Sequence, residues 1–257
     1  MSNRVSEEIE ERLGVLKLTP SRGFVKRVVG HWASVPSPIG DVFVAWTQEG
    51  ICAVDSTRAG ANPGVFAESV RERLGRPFLP ADAPPKGVAA AMQSGRATQL
   101  LFDLRGLTPF ETDVLEATRR IPPGEIRPYA WVAAEIGKPK AVRAVGSALG
   151  RNPVPILIPC HRVTRSDGAV GNYGGGPEMK EELLRLENVN LDEVLELARH
   201  GVHFVGNAST KVICFPSCEG IRRLNRENRV GFGSVDDALE QGFRPCGRCR
   251  PVLSLSA

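Results

Sequence analysis

Residues 129–149 read YAWVAAEIGKPKAVRAVGSAL. Two short helical runs, 129–136 and 140–149, flank the turn GKP (137–139). Two short helices joined by a brief glycine-containing turn have the spacing of a helix-turn-helix. The second run carries Arg143 among Ala141, Val142, Ala144, Gly146 and Ser147, and such small side chains let a helix approach a partner backbone closely. Spacing alone leaves ordinary helix packing open beside DNA binding. Charge points the same way. Residues 119–152 hold seven Lys or Arg, Arg127 among them, against Glu125 and Glu135, a net +5. A phosphate-binding face and a solvated basic surface both fit that charge.

Working outward toward the N-terminus, TPFE (108–111) reads as a capping box with Pro109 at the first helical position, opening a helix to about Ile121 that PPGE then breaks. Residues 76–98, rich in Pro, Ala and Gly, read as a loop, and FAESVRERLG as a helix stopping at Gly75. Residues 37–54 read as a hairpin, with DVFVAW and ICAV as strands about the turn TQEG. Cys52 falls inside the second strand and reads as a buried structural thiol. Residues 1–30 read as a helical extension and linker.

Toward the C-terminus, NPVPILIPCHRV reads as a loop and a buried strand ending on Cys160, His161 and Arg162. A thiolate is a soft nucleophile, and a neighbouring base or cation favours it. Adjacent side chains on an extended chain point to opposite sides, so a bridging water is expected between Cys160 and His161, with Glu187 or another carboxylate orienting the imidazole. A buried thiol beside a surface histidine fits the bare pair equally well. A glycine-rich segment, 167–176, and two helices ending at Gly201 follow. Residues 201–257 then hold four of the six cysteines, so a domain boundary is expected at 190–200. Cys214, Cys218, Cys246 and Cys249 form C-x3-C and C-x2-C pairs, a spacing that suits one tetrahedral Zn2+.

The chain has 257 residues, 42% hydrophobic and 24% charged, which suits one large domain or two and excludes global disorder. No apolar run is long enough to span a bilayer, and the polar N-terminus does not read as a signal peptide. A cytoplasmic protein without a membrane partner is expected. In that compartment six cysteines point to metal binding or catalysis rather than disulfides.

The run IPPGEIRPYAWVAAEIGKPKAVRAVGSALGRNPVPILIPCHRV, followed by GAVGNYGGG and KEELLRLEN, closely resembles the O6-alkylguanine-DNA alkyltransferases. The match is dense over 108–188 and looser over 33–107. The resemblance implies an α/β (α+β) fold and a monomer. A strand-rich half (31–107) would precede a helix-turn-helix and active-site half (108–190). Cys160 would accept the alkyl group of O6-alkylguanine in double-stranded DNA, in a single turnover. His161 would take the thiol proton through a water, and Glu187 would orient His161. Asn152 would brace the turn between helix-turn-helix and active site. Tyr129 would rotate the damaged nucleotide outward and aid protonation of the leaving guanine, and Arg143 would fill the vacated stack. The 140–149 helix, with Ala141, Val142, Gly146 and Ser147, would lie in the minor groove. Tyr173 and Gly174 would wall the base pocket, and the backbone about Cys160 and Val163 would accept hydrogen bonds from guanine.

The segment ICFPSC with GFRPCGRCRP resembles the zinc domain of the Ada protein, here a small α+β domain over 200–257. That resemblance implies one Zn2+ and makes Cys214 the acceptor of a methyl group from DNA methylphosphotriesters. Phe215 stands where that family usually has arginine. Two other readings stay open at this point: a non-catalytic module that recruits repair factors to alkylated DNA, and a thiol or zinc sensor.

Overall fold

The structure, a computed structural model, describes residues 28–251. Most of the expected helical extension over 1–30 lies outside these residues. The chain divides into two compact units, one running to Thr108 and including Pro153–Leu157, the other made of Pro109–Asn152 and everything from Ile158 onward.

The first unit is built on a four-stranded sheet in the order β3-β2-β1-β4, formed by β1 (Gly30–Ser37), β2 (Gly40–Trp46), β3 (Ile51–Ser56) and β4 (Phe78–Pro80). The expected hairpin is β2–β3. β1 is a further strand, antiparallel to β2 from His31↔Trp46 to Ser37↔Gly40. It escaped the sequence reading because HWASVPS carries a proline and two serines, weak strand formers. Helix α1 (Pro63–Leu74) lays Phe66 and Val70, one turn apart, onto Phe43, Ala45, Cys52 and Phe78 of the sheet. Asn62 caps its start by accepting from the Val65 amide at 3.0 Å, and Gly75, at φ +64°, ends it. Helix α2 (Val88–Ser94) falls inside the stretch expected to be loop; its alanines and Met92 suit a helix better than the flanking prolines suggest.

The second unit opens with α3 (Pro109–Arg119), which begins where the proline was expected to start it. Next come the two-residue strand β5 (Arg127–Pro128), α4 (Tyr129–Glu135) and α5 (Val142–Gly150). α5 starts two residues later than expected, leaving Lys140 and Ala141 in the turn that leads into it. Val145, Ala148 and Leu149 face inward, while Arg143, Ala144 and Ser147 are exposed. The buried strand expected over ILIPC is absent. Pro153, Pro155 and Pro159 lack the N–H groups a ladder needs. The Leu157 and Cys160 amides instead donate locally, to the Pro155 and Ile158 carbonyls at 2.9 and 2.8 Å. Cys160–Arg162 form a single 3-10 turn, and only Val163–Thr164 are extended, as β6, parallel to β5.

Helices α6 (Pro177–Leu186) and α7 (Leu191–Arg199) follow, with Ile126, Leu184, Val189 and Leu191 as a shared core. A second four-stranded sheet, in the order β10-β8-β7-β9, then takes up β7 (Phe204–Asn207), β8 (Val212–Cys214), β9 (Arg229–Phe232) and β10 (Arg244–Pro245). The short helices α8 (Glu219–Arg222) and α9 (Val235–Glu240) interleave with its strands. The fold is thus the expected mixture of α and β. No helix among the described residues is long and apolar enough to cross a membrane.

Candidate active site and metal centre

A cavity of about 480 Å³ opens in the second unit between α4, α5 and the loop 171–174. Tyr129, Arg143, Gly146, Cys160, Tyr173 and Gly174 line it. Tyr129 comes from the first residue of α4, Arg143 and Gly146 from the open face of α5, and Cys160 from the 3-10 turn. Glycine is needed at 171, where φ is +74° and a Cβ would stand 3.2 Å from the Tyr129 hydroxyl. Val142 also lines the cavity; Ala141 and Ser147 do not.

Behind Cys160 lies a chain of polar groups. Asn152 Nδ2 donates to the Ile158 carbonyl at 2.9 Å and to Cys160 Sγ at 3.2 Å, so it holds both the turn and the thiol. His161 is 1% exposed, and its Nε2 lies 3.1 Å from Glu187 Oε1. Arg162 grips the same carboxylate with Nε (2.8 Å) and Nη2 (2.5 Å), and its Nη1 donates to the Ile121 carbonyl at 2.7 Å. His161 and Glu187 therefore meet directly, while His161 Nδ1 has no hydrogen-bond partner among the described residues. The 3-10 turn, not an extended chain, sets the directions of the Cys160 and His161 side chains.

Burial pushes the Cys160 thiol up, opposed by the Asn152 hydrogen bond and the Lys180 charge. Burial also lowers His161 despite its bond to Glu187, so the imidazole is neutral and able to accept a proton. Burial alone would raise Glu187, but the His161 and Arg162 hydrogen bonds hold it down at about 2. Burial pushes the Tyr129 hydroxyl up, so it stays protonated.

Lys180 was missed in the sequence. It is fully buried on α6, and burial lowers it to about 8. Its Nζ donates to the Val163 carbonyl at 2.6 Å, so that carbonyl, expected to face a base, is already engaged. The ammonium also lies 5.7 Å from the centre of the Tyr129 ring. The signal was present: Lys180 stands three and four residues before Leu183 and Leu184, on the apolar face of its helix. The basic surface expected over 119–152 also needs correction. Glu125 and Arg127 are 0% and 2% exposed and pair with each other, so neither belongs to a solvated face.

The four cysteines converge. Cys214 ends β8, Cys218 caps α8, and Cys246 and Cys249 flank the turn after β10. Their sulfur atoms all lie within 4.8 Å of one another, and none is in a disulfide. A tetrahedral zinc site with Zn–S bonds of about 2.3 Å needs sulfurs roughly 3.8 Å apart, so the donor set fits. Hydrogen bonding with Cys218 pushes the Cys214 thiol up, and the same contact holds Cys218 down. Clustered thiols of this kind shed all their protons only to a cation. Cys246 is partly exposed; the other three are buried. Phe215 is buried too, 5.4 Å from the Phe204 ring, with the Arg127 guanidinium 5.1 Å over its face.

Residues 109–189 match the family model described as 6-O-methylguanine DNA methyltransferase, DNA binding domain, and residues 196–252 match the metal binding domain of Ada. Among similar proteins is the methylated-DNA–protein-cysteine methyltransferase of Methanosarcina barkeri, 38% identical over 164 residues, which span 63% of this chain and 99% of that protein. The bifunctional transcriptional activator/DNA repair enzyme Ada of Escherichia coli is 36% identical over 170 residues, covering 62% of this chain and 46% of that one. Among solved structures, Mycobacterium tuberculosis OGT in complex with DNA superposes with a TM-score of 0.51 at 31% identity, over 65% of this chain and 99% of the other. The convergent thiols together with the metal-domain match make Cys214, Cys218, Cys246 and Cys249 the ligands of one Zn2+.

Proposed function

This chain belongs to the methylated-DNA–protein-cysteine methyltransferase family, and from that premise we propose that it repairs double-stranded DNA by moving the alkyl group of O6-alkylguanine onto its own Cys160. Residues 31–190 carry this activity and 200–257 carry the metal. The observation that supports the reading most is the run Asn152–Cys160–His161–Glu187 at the back of a cavity whose mouth holds Tyr129 and Arg143.

The target atom is stacked inside the duplex, so the nucleotide must be turned out before it reaches a buried thiol. The exposed face of α5 meets the minor groove; Arg143 fills the gap in the stack, and Tyr129 keeps the nucleotide turned out. Cys160 Sγ then attacks the alkyl carbon in line. The S–C bond forms as the C–O6 bond breaks, and the electron pair of that bond stays on the purine. The thiol proton goes to neutral His161, through a water at Nδ1, while Glu187 steadies the imidazolium that results. Tyr129 supplies a proton donor for the departing guanine. The thioether product is stable, so each chain acts once. Incubation with duplex carrying O6-methylguanine should restore one guanine per chain and then stop. Continued turnover beyond one equivalent would refute a suicide mechanism.

A second reading concerns the metal segment. The match of 196–252 to the Ada metal-binding domain favours Cys214 as acceptor of a methyl group from DNA methylphosphotriesters. Zinc-bound thiolates are electron-rich nucleophiles when not fully hydrogen-bonded. Cys214 is 4% exposed, whereas Cys246 is partly open. Peptide mapping after exposure to methylphosphotriester DNA tests the choice: a methyl group found on Cys246 would reassign the acceptor.

A further inference from the structure

Each loop that carries the cysteines is fastened to one short stretch, residues 124–131. In the loop between Cys214 and Cys218, Ser217 Oγ accepts from the Ile126 amide at 2.9 Å and donates to the Ile126 carbonyl at 3.2 Å. Phe215, in the same loop, lies under the Arg127 guanidinium. Just after Cys218, the Glu219 amide donates to Glu125 Oε1 at 3.2 Å. Between Cys246 and Cys249, Arg248 pairs with the same Glu125 oxygen at 3.2 Å. Trp131 Nε1 donates to the carbonyl of the ligand Cys249 at 3.0 Å and to that of Arg250 at 3.1 Å. Gly124, at φ +78°, sits close to α8: a Cβ there would stand 2.8 Å from the Arg222 guanidinium and 2.9 Å from the Glu187 carbonyl.

The same stretch runs into the Cys160 site. Arg127 and Pro128 are β5, paired with Val163 and Thr164 of β6, which directly follow the Cys160–Arg162 turn. Tyr129 is the next residue, and Trp131 lies within the same short helix. At the centre sits a buried ion pair, Glu125 with Arg127. A buried pair stripped of its surrounding partners is costly. Loss of the metal segment would remove from Glu125 its bonds to Glu219 and Arg248, and from Arg127 the Phe215 ring.

We propose that the four-cysteine centre is a positioning element for the Cys160 site: a bound metal fixes residues 124–131, and with them Tyr129 and the β5–β6 pair, so that the two sites are energetically coupled. Arg127 and Trp131 are the positioning residues that carry the coupling. The inference rests on Cys160 as the alkyl acceptor. By linkage, an ion that binds only the ordered cluster stabilises whatever orders with it.

The test compares the full-length zinc protein with the same protein stripped by EDTA and then reloaded with Zn2+. Two quantities are read: amide hydrogen exchange, and the rate at which Cys160 takes a benzyl group from free O6-benzylguanine, followed by peptide mass. Stripping should speed exchange at 124–131 and 163–164 and slow benzylation about tenfold, and reloading should reverse both. Amides of β2 and β3 serve as the reference and should keep their protection. Trp131→Phe, which loses the indole N–H but retains its zinc, should show the same changes to a smaller degree. Stripping that frees only residues 201–251 would overturn the coupling, as would a zinc-loaded Trp131→Phe protein with unaltered exchange and rate. Loss of protection throughout β2 and β3 would also overturn it, because the metal would then hold the whole fold. A Cys160 that fails to react in every form would refute the acceptor assignment instead, while the exchange pattern still reports on coupling between the segments.

Discussion

Cys52, on β3, and Cys160, on its 3-10 turn, are both buried thiols that burial pushes up. Around Cys52 stand Phe43, Ala53, Phe66 and Phe78, and its thiol is pushed to about 12, with the Arg73 charge opposing only in part. Around Cys160 stand an amide donor on the sulfur, a buried ammonium, and a neutral imidazole backed by a carboxylate. The difference teaches that burial alone makes a thiol inert. A buried thiol reacts when its surroundings also hold a place for its proton and donors for its negative charge. The four-cysteine centre is a third solution, in which a cation takes the place of the proton acceptor.

The largest effect expected from this contrast is at the sulfur itself. Cys160→Ser should abolish alkyl transfer while leaving duplex binding intact, and Cys52→Ala should leave transfer unchanged; intact mass after incubation with O6-methylguanine duplex reads both. A Cys52→Ala protein that lost transfer but kept its fold would break the comparison.

Glu187→Gln comes next. Without the carboxylate to steady His161, Cys160 alkylation should slow about 100-fold. A stability signature accompanies it. Glu187 sits at about 2 in the folded protein, below its ordinary 4.5. The stability it contributes, roughly 3 kcal/mol, is therefore full above its unfolded value and is lost as pH falls from that value toward 2. Thermal melts across that window should be flatter in the variant.

Lys180→Met should slow transfer about tenfold, because the buried ammonium favours the charged form of the thiol. The pH profile sharpens this. Burial lowers Lys180 to about 8, so the wild-type advantage over the variant should shrink as pH rises through that value. An advantage that persists at high pH would show that the lysine acts by hydrogen bonding alone.

Arg143→Ala should have the smallest chemical effect. Repair in duplex should fall about tenfold while reaction with free O6-benzylguanine stays unchanged, because the free base has no stack to hold open. Equal losses on both substrates would place Arg143 in the chemistry or the fold.

The helix-turn-helix and the cysteine pairs were legible in the sequence from spacing, whereas the roles of Cys160, Tyr129 and Arg143 followed from the family resemblance. The helix-turn-helix, the cysteine pairs and the PCHRV context are local patterns, and local patterns survive without coordinates. Three features were missed. The strand expected at ILIPC gave way to turns because three prolines removed its donors. Glu125 and Arg127 were counted as surface charge, since nothing nearby in the chain announces partners some ninety residues on, at Glu219 and Phe215. Lys180 was not singled out, although its place three and four residues before Leu183 and Leu184 marked it as inward.

The central claim is that Cys160 alone among the lone thiols is built to react. Full-length zinc protein exposed to duplex carrying isotopically labelled O6-methylguanine, then digested and mapped by mass spectrometry, tests it directly. The label should appear on the peptide bearing Cys160, once per chain, and never on the peptide bearing Cys52. Label distributed over both, or absent from Cys160 while guanine is restored, would contradict it.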